Sequence, residues 1–192
     1  MAQTHDGVEL VPDATVERFA LAVLLAALMA GLAWLKIPYP LSAAPITLQV
    51  VGVGVAGLVL GPLWGGVSML LYLLVGLAGA PVFTQGGGPG YVWHYTAGFL
   101  LGFLVAAVVI GAIVHRGTEP RDLAAVPTVV QVGALLVGVL VVYAFGVPWL
   151  AYVLDLSLSK AAMTGAVVFL PADLVKVAAT VGLVRGGSLV RA

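Results

Sequence analysis

The chain has 192 residues, of which 62% are hydrophobic and only 8% charged, and its formal net charge is zero. A soluble domain usually carries about 25% charged residues, so this composition indicates that lipid surrounds most of the chain. The neutral balance offers no basic surface for nucleic acid. The absence of cysteine excludes disulfides and thiolate metal sites.

The N-terminal stretch MAQTHDGVELVPDATVER holds four acidic residues and one arginine. A cleavable signal peptide begins with basic residues, so we expect residues 1–18 to form a short polar tail. A membrane span needs about 20 mostly apolar residues, and the rest of the chain divides into segments of that kind. Six segments are predicted, at 19–35, 46–61, 64–80, 97–114, 128–146 and 165–184. The predicted fold is therefore an all-α integral membrane protein with one six-helix domain, 19–184, and a short C-terminal tail, 185–192.

The basic residues predict the orientation of these helices. With six spans, both termini lie on one side of the membrane, and that side collects five arginines, Arg18, Arg116, Arg121, Arg185 and Arg191. The other side has Lys36 and Lys160. Because loops rich in Lys and Arg stay in the cytoplasm, we expect a multi-pass protein of the cell membrane with both termini inside.

The stretch FLPADLVKVA, residues 169–178, places two opposite charges inside the last apolar segment. Asp173 and Lys176 are three positions apart and share one helix face. Pro171 favours a helix start just before them, which puts Asp173 in the first turn, in the outer half of the membrane. A charge at the bilayer centre costs about 2.5–3.5 kcal/mol on insertion scales, so we expect both side chains to line a ligand pocket. The alternative is an ion pair that only fixes helix packing.

The loop PVFTQGGGPGYVWHYT, residues 81–96, combines glycines, aromatic rings and hydrogen-bonding side chains. Glycine lets the backbone approach a ligand closely, and non-helical backbone at membrane depth requires shielding by protein or a cavity. A flexible surface loop with interfacial aromatic residues is an equally weighted alternative. Our substrate-binding candidates in this loop are Phe83, Thr84, Gln85, Gly86, Gly87, His94 and Tyr95. A lone histidine makes no metal site, and we expect none.

The loop KIPYPLSAAPITLQ leads into the second segment through Thr47 and Gln49. Polar side chains at such an entrance can cap a helix or bond a neighbouring helix, and they can equally line the mouth of a pocket. We slightly favour the pocket for both residues.

The first segment carries Ala22, Ala26 and Ala30 at strict i, i+4 spacing. A small-xxx-small stripe lets another helix approach closely. Taken alone, this motif favours packing within the six-helix domain over docking of a partner.

Motifs for catalysis and for nucleotide hydrolysis are absent. The sequence has no GxxxxGK[ST] phosphate loop, no GxSxG and no HExxH. We therefore predict a binding protein that is not an enzyme, has no cofactor and carries no energy source of its own.

Four stretches occur together in one order: IPYPLSAAPITLQ (37–49), LGPLWGGVSMLLYLLVGLAGAPVF (60–83), TAGFLLGFLVAAVVIG (96–111) and FLPADLVK (169–176). In this order and spacing they resemble the BioY family, the biotin-binding substrate components of energy-coupling factor (ECF) transporters. The resemblance implies an outward pocket that holds biotin with high affinity under the first and third loops, with Asp173 and Lys176 as ligand contacts.

The resemblance also implies protein partners. Substrate components of this class present a small-residue face on the first helix to a membrane coupling subunit, which links to a pair of cytoplasmic ATPases. Partner docking by Ala22, Ala26 and Ala30 then outweighs internal packing, and ATP is used only by the partner subunits.

The third loop departs from the family pattern. Members commonly have FAGGGGG followed by GPTGGYLLGF, whereas this chain has FTQGGG and HYTAGFLLGF. Two alternatives for the function therefore stay open: a substrate component for another vitamin, or a solitary permease that uses Asp173 and Lys176 as a gate.

Overall fold

The computed structural model describes residues 13–42 and 44–186, and this part of the chain is almost entirely helical. Its helices are α1 (Asp13–Trp34), α2 (Gln49–Leu77), α3 (Ala97–His115), α4 (Thr128–Val153), α5 (Leu158–Gly165) and α6 (Leu170–Arg185). Two 3-10 turns, Pro89–Trp93 and Val167–Phe169, precede α3 and α6. The loop between α1 and α2 forms a small antiparallel ribbon of β1 (Lys36–Ile37) and β2 (Ile46–Thr47).

Five helical stretches are long and apolar enough to cross a membrane, namely α1, α2, α3, α4 and the combined stretch Leu158–Arg185. This confirms the prediction of an all-helical membrane protein. The count differs from the six predicted segments because most of segment 46–61 and most of segment 64–80 belong to the single element α2.

Helix α2 is folded back on itself at Gly61. This residue has non-helical backbone angles (φ 73°, ψ −175°), a left-handed φ that favours glycine. The amide of Gln49 donates to the hydroxyl of Tyr72 over 2.9 Å, whereas the same residues in a straight helix would lie about 35 Å apart. The element therefore consists of two antiparallel arms, 49–60 and 62–77, which correspond to the second and third predicted segments.

A histidine completes the hydrogen bonding at this fold-back. Pro62 has no N–H and so leaves the carbonyl of Leu58, four residues earlier, without its helical donor. The Nε2 atom of His115 lies 2.8 Å from that carbonyl oxygen. The backbone N–H of Arg121 donates to His115 Nδ1 over 2.8 Å, so the ring proton is on Nε2 and is donated to Leu58.

The main core joins five of the six helices. Its buried side chains include Met29 of α1, Met69 of α2, Ile110 of α3, Leu135 of α4 and Val184 of α6. Large apolar side chains on the outer faces are exposed, such as Leu24, Leu140 and Leu174. Apolar side chains both inside and outside are the pattern of a helix bundle in lipid.

Several features differ from the sequence prediction. Helix α1 begins at Asp13, so residues 13–18 of the predicted polar tail are helical. Helix α4 continues through Pro148 to Val153, past its predicted end at 146. Helix α5 was not predicted. The predicted tail residues 1–12 and 187–192 lie outside the described residues.

Candidate ligand-binding site

A cavity of about 90 Å³ lies where the start of α6 faces the starts of α2 and α3 and the two long loops. Its lining is Ala44, Pro45, Ile46, Thr47, Gln49, Val50, Thr84, Tyr91, Thr96, Phe99, Leu100, Phe103, Phe169, Asp173 and Lys176. Ligand pockets usually measure about 300–1,000 Å³. A small-molecule ligand would therefore extend into the mouth of this cavity or displace the loops that cover it.

The charged pair lies on the α6 side of the cavity. Pro171 is in the first turn of α6 together with Asp173, which confirms the predicted helix start. Asp173 is 3% exposed and Lys176 is 8% exposed, and Lys176 Nζ donates to Asp173 Oδ1 over 2.7 Å. The exposed amides and the dipole of the α6 N-terminus add to the stabilisation of the carboxylate.

Tyr143 of α4 is a member of this cluster that the sequence reasoning missed. Its hydroxyl donates to the other carboxylate oxygen of Asp173, Oδ2. The signal in the sequence was a tyrosine in a mostly apolar segment, and nothing local connects it with a residue thirty positions away.

The cluster can both accept and donate hydrogen bonds. An ionised carboxylate has about four acceptor sites, and an ammonium group has three donors. Asp173 receives one bond on each oxygen from the protein, and Lys176 gives one of its donors to Asp173. Asp173 can therefore accept further hydrogen bonds at the cavity wall, and Lys176 beside it can donate further ones.

Gln49 connects the two long loops beside the cavity. Its Oε1 accepts from the hydroxyl of Thr47 over 3.1 Å and from that of Thr84 over 3.0 Å. Its Nε2 donates to Tyr72. The structure thus brings together three predicted site residues from the first and third loops, and their mutual bonds hold both loops over the cavity.

The third loop is also anchored to the end of α1. The ammonium of Lys36 donates to the carbonyl of Thr84 over 2.9 Å. The indole of Trp34 donates to the carbonyl of Pro81 over 3.2 Å. These bonds fix the backbone of the loop at the point where Thr84 enters the cavity wall.

Of the seven loop candidates only Thr84 lines the cavity, and four of the others lie directly beside it in the chain. Phe83 is buried between the rings of Tyr72 and Tyr91. Gly86 exchanges two backbone hydrogen bonds with Phe83, of 2.9 and 3.1 Å. The other two candidates are Gln85, which is exposed and donates to the hydroxyl of Tyr95, and Gly87, whose backbone is exposed. These residues shape the loop, and their predicted contact with a ligand stays a prediction.

His94 lies behind the cavity wall. Its Nδ1 is 2.8 Å from Oγ1 of Thr96, and its ring stacks on Tyr91 at 4.3 Å. Thr96 and Tyr91 line the cavity, whereas His94 and its neighbour Tyr95 do not. Partial burial lowers the pKa of His94 and favours its neutral form. In this arrangement the histidine supports two lining residues from outside.

The alanine stripe of α1 faces the protein core. Ala22 is fully buried, and Ala26 and Ala30 are half-buried against the main core. Ala22 therefore packs within the chain in this structure. Contact of Ala22, Ala26 and Ala30 with a partner stays a prediction.

Within residues 13–42 and 44–186, no group of three or more His, Asp or Glu side chains could hold a metal ion. The chemistry of the site rests on the charged pair and the polar side chains around it.

A helical membrane bundle with a buried acid–base pair beside a partly polar cavity defines a small-molecule-binding membrane protein. The family model described as the BioY family matches residues 3–191. The chain therefore belongs to the BioY family, as the four sequence stretches indicated.

Several similar proteins are named as transporters. A probable biotin transporter BioY of Lysinibacillus sphaericus is 43% identical over 136 residues, which is 71% of this chain and 65% of that protein. The biotin transporter BioY of Rhizobium etli is 39% identical over 72% of this chain and 75% of its own length. The chain thus matches slightly less than two thirds of the first of these relatives. The family is one of transporters and not of enzymes, in agreement with the prediction.

A solved structure has the same fold. It is described as the S-component for biotin from an ECF-type ABC transporter, and it superposes with a TM-score of 0.78 at 26% sequence identity. The superposition covers 92% of this chain and 93% of that one. The similarity to this S-component therefore covers nearly the whole fold and not only the four sequence stretches.

Proposed function

We propose that this protein is the substrate-binding component of an ECF-type biotin transporter and binds biotin with high affinity in the cavity beside Asp173 and Lys176. The observation that carries the proposal is the buried pair at the cavity wall, in a chain that shares its fold with an S-component for biotin. Intramembrane charges of this kind mark ligand sites by default.

The chemistry of biotin suits this wall. Its ureido ring presents N–H donors next to a carbonyl acceptor, and Asp173 with Lys176 presents an acceptor next to a donor. We infer that the ureido group binds here, because the carboxylate at the other end of biotin would be repelled by Asp173. Phe99, Phe103 and Phe169 supply apolar surface for the rings and the alkyl chain.

The arrangement in the membrane that we propose has six crossings, one for each arm of α2 and for each other long helix. Arg18 pairs with Glu119, and Arg185 donates to the carbonyl of Val126. These arginines therefore meet the same loop at one end of the bundle, while Lys36 reaches Thr84 at the cavity end. With the positive end in the cytoplasm, both termini lie inside and the cavity opens near the outer face.

Transport in this proposal depends on partner subunits. The sequence has no phosphate loop of its own, so a membrane coupling subunit and a pair of cytoplasmic ATPases would supply the energy. The partly exposed side of α1 around Ala26 and Ala30 is the docking face that we favour. A solitary biotin permease and a substrate component for another vitamin are the alternatives.

Two measurements test the proposal. Purified protein in lipid nanodiscs should bind labelled biotin saturably below micromolar concentration, and unlabelled biotin should compete while an unrelated vitamin such as thiamine should not. Absence of saturable biotin binding would contradict the proposed ligand. Uptake by cells that express the chain with and without ECF partner subunits then separates partnered from solitary transport.

A further inference from the structure

Asp173 separates two cavities. One is the ligand cavity described above, and the other is a crevice of about 260 Å³ between α4 and α6. Apart from Asp173, the crevice is lined only by Leu136, Val139, Leu140, Leu170 and Leu174. Leu140 and Leu174 are exposed on the outer surface of the bundle, so this second cavity opens toward lipid.

Tyr143 lies on the same face of α4 as two residues that line this crevice. It follows Val139 and Leu140 at i+4 and i+3, so the three side chains share one face of α4. Its hydroxyl donates to Oδ2 of Asp173 across the gap between α4 and α6. Tyr143 lines neither cavity, and it acts on the site only through the carboxylate.

The ion pair alone cannot orient this carboxylate relative to the rest of the cavity. Lys176 is on the same helix as Asp173, three residues further on, and moves with it. Tyr143 belongs to a different helix and therefore fixes the carboxylate against the body of the bundle. Without this bond the carboxylate keeps only its partner on α6, so its oxygens can rotate away from the orientation that a ligand in the cavity requires.

We propose that Tyr143 is a positioning residue for ligand recognition, which holds the Asp173 carboxylate in the ligand cavity as an acceptor for the N–H groups of a ureido ligand. The inference rests on the proposed function, because it assigns those N–H groups to Asp173. It predicts that Tyr143 contributes to affinity without touching the ligand.

A double-mutant cycle with biotin as the ligand tests this role. Tyr143→Phe keeps the ring and removes the hydroxyl, and it should weaken biotin binding about tenfold, as expected for loss of a hydrogen bond to a charged group. In an Asp173→Asn background, where a neutral amide replaces the carboxylate, the same change should weaken binding no more than about threefold. Tyr152→Phe is the matched control on α4, because Tyr152 is 72% exposed, and it should leave affinity unchanged.

Thermal unfolding of the wild type, the two single variants and the double variant should also be measured without ligand. Tyr143→Phe and Asp173→Asn should lower Tm by less together than the sum of their separate effects, because they remove one shared bond. A Tyr143→Phe protein that melts earlier but binds biotin as tightly as the wild type would overturn the positioning role and leave only a structural one. Additive effects on both affinity and Tm would overturn it as well.

The two measurements distinguish the inference from the proposed function. If the wild type binds biotin and the cycle is additive, the positioning role is wrong and the proposed function stands. If the wild type does not bind biotin, the proposed function is wrong, and the ligand-free melting cycle still decides whether Tyr143 holds Asp173.

Discussion

The two ends of the helix bundle use polar side chains in different ways. At the cavity end, side chains bond mainly to other side chains, as Gln49 does with Thr84 and Asp173 with Lys176. At the opposite end, most of the bonded side chains reach backbone groups, as His115 does with Leu58, although Arg18 also pairs with Glu119. Side chains that bond each other can exchange partners when a ligand enters. A side chain that bonds a buried backbone group without another partner instead stabilises the fold. We therefore expect the cavity end to serve ligand binding and the opposite end to serve stability.

Three further bonds at the opposite end follow the same rule. The amide of Gln131 donates to the carbonyls of Leu123 and Val126, and Arg185 also donates to Val126. Together with His115 they tie the loop between α3 and α4 to three helices. Mutations at the two ends should accordingly separate ligand affinity from stability.

The largest effect is expected for the charged pair. Lys176→Ala removes the partner of a buried carboxylate, and breaking a buried pair costs about 3–5 kcal/mol of stability. It should also weaken biotin binding by at least about a hundredfold, which corresponds to about 2.8 kcal/mol. Calorimetry with biotin, together with a melting curve for each variant, measures both effects. If the Lys176→Ala protein is well folded and its affinity for biotin is unchanged, the charged pair has only a structural role.

A substitution at the opposite end should show the reverse pattern. His115→Phe leaves the Leu58 carbonyl and the Arg121 amide without their partner, and one unsatisfied buried group costs about 1–3 kcal/mol. The free energy of unfolding should fall, while the Kd for biotin in the folded protein changes less than about twofold. A large loss of affinity in folded His115→Phe would show that the two ends are not independent.

A smaller effect is expected where Gln49 joins the loops. Thr84→Val keeps the shape of the side chain and removes the hydroxyl that bonds Gln49, a neutral hydrogen bond that contributes about 1 kcal/mol. The loops should open more often, so we expect faster biotin dissociation in stopped-flow exchange. Thr164→Val is the control, because Thr164 is half-buried and its hydroxyl donates to the Lys160 carbonyl within its own helix. Equal dissociation rates for both variants would contradict a role for Gln49 in closing the loops.

The smallest effect is a pH dependence at His94. Burial lowers its pKa in the folded protein below the ordinary value of 6.5, so the unfolded chain binds the proton more tightly. Stability should therefore decrease as the pH falls below about 6.5 and level off below the folded pKa. Comparison of Tm between pH 8 and pH 5 for the wild type and His94→Asn isolates this group, because all other titrating residues are shared. An identical pH profile for both proteins would show that His94 titrates as it does in the unfolded chain.

The charged pair was predictable because its signals are local. Pro171 favours a helix start, and the spacing of Asp173 and Lys176 puts them on one face. The break in α2 was visible for the same reason, in the glycine and proline at positions 61 and 62. Short-range sequence signals thus gave the helical segments and the core of the site.

The remaining features depend on contacts between distant residues. The fold-back of α2 is established by the bond between Gln49 and Tyr72, 23 residues apart. The partnership of Tyr143 with Asp173 spans 30 residues. Neither pairing leaves a pattern in the local sequence. Phe83 shows the limit of a local signal, since an aromatic ring in a glycine-rich loop suggested a pocket wall. In the structure the ring packs in the core, and its contact with a ligand stays a prediction.

A structure of the protein with biotin bound tests the central claim most directly. The account predicts the ureido ring within hydrogen-bonding distance of Asp173 and Lys176, with Tyr143 still bonded to the carboxylate and the first and third loops closed over the ligand. The nearest competing location is an apolar groove of about 320 Å³ under the third loop, lined by Leu73, Val92 and Trp149 among others. Biotin bound in that groove, with the charged pair untouched, would contradict the account.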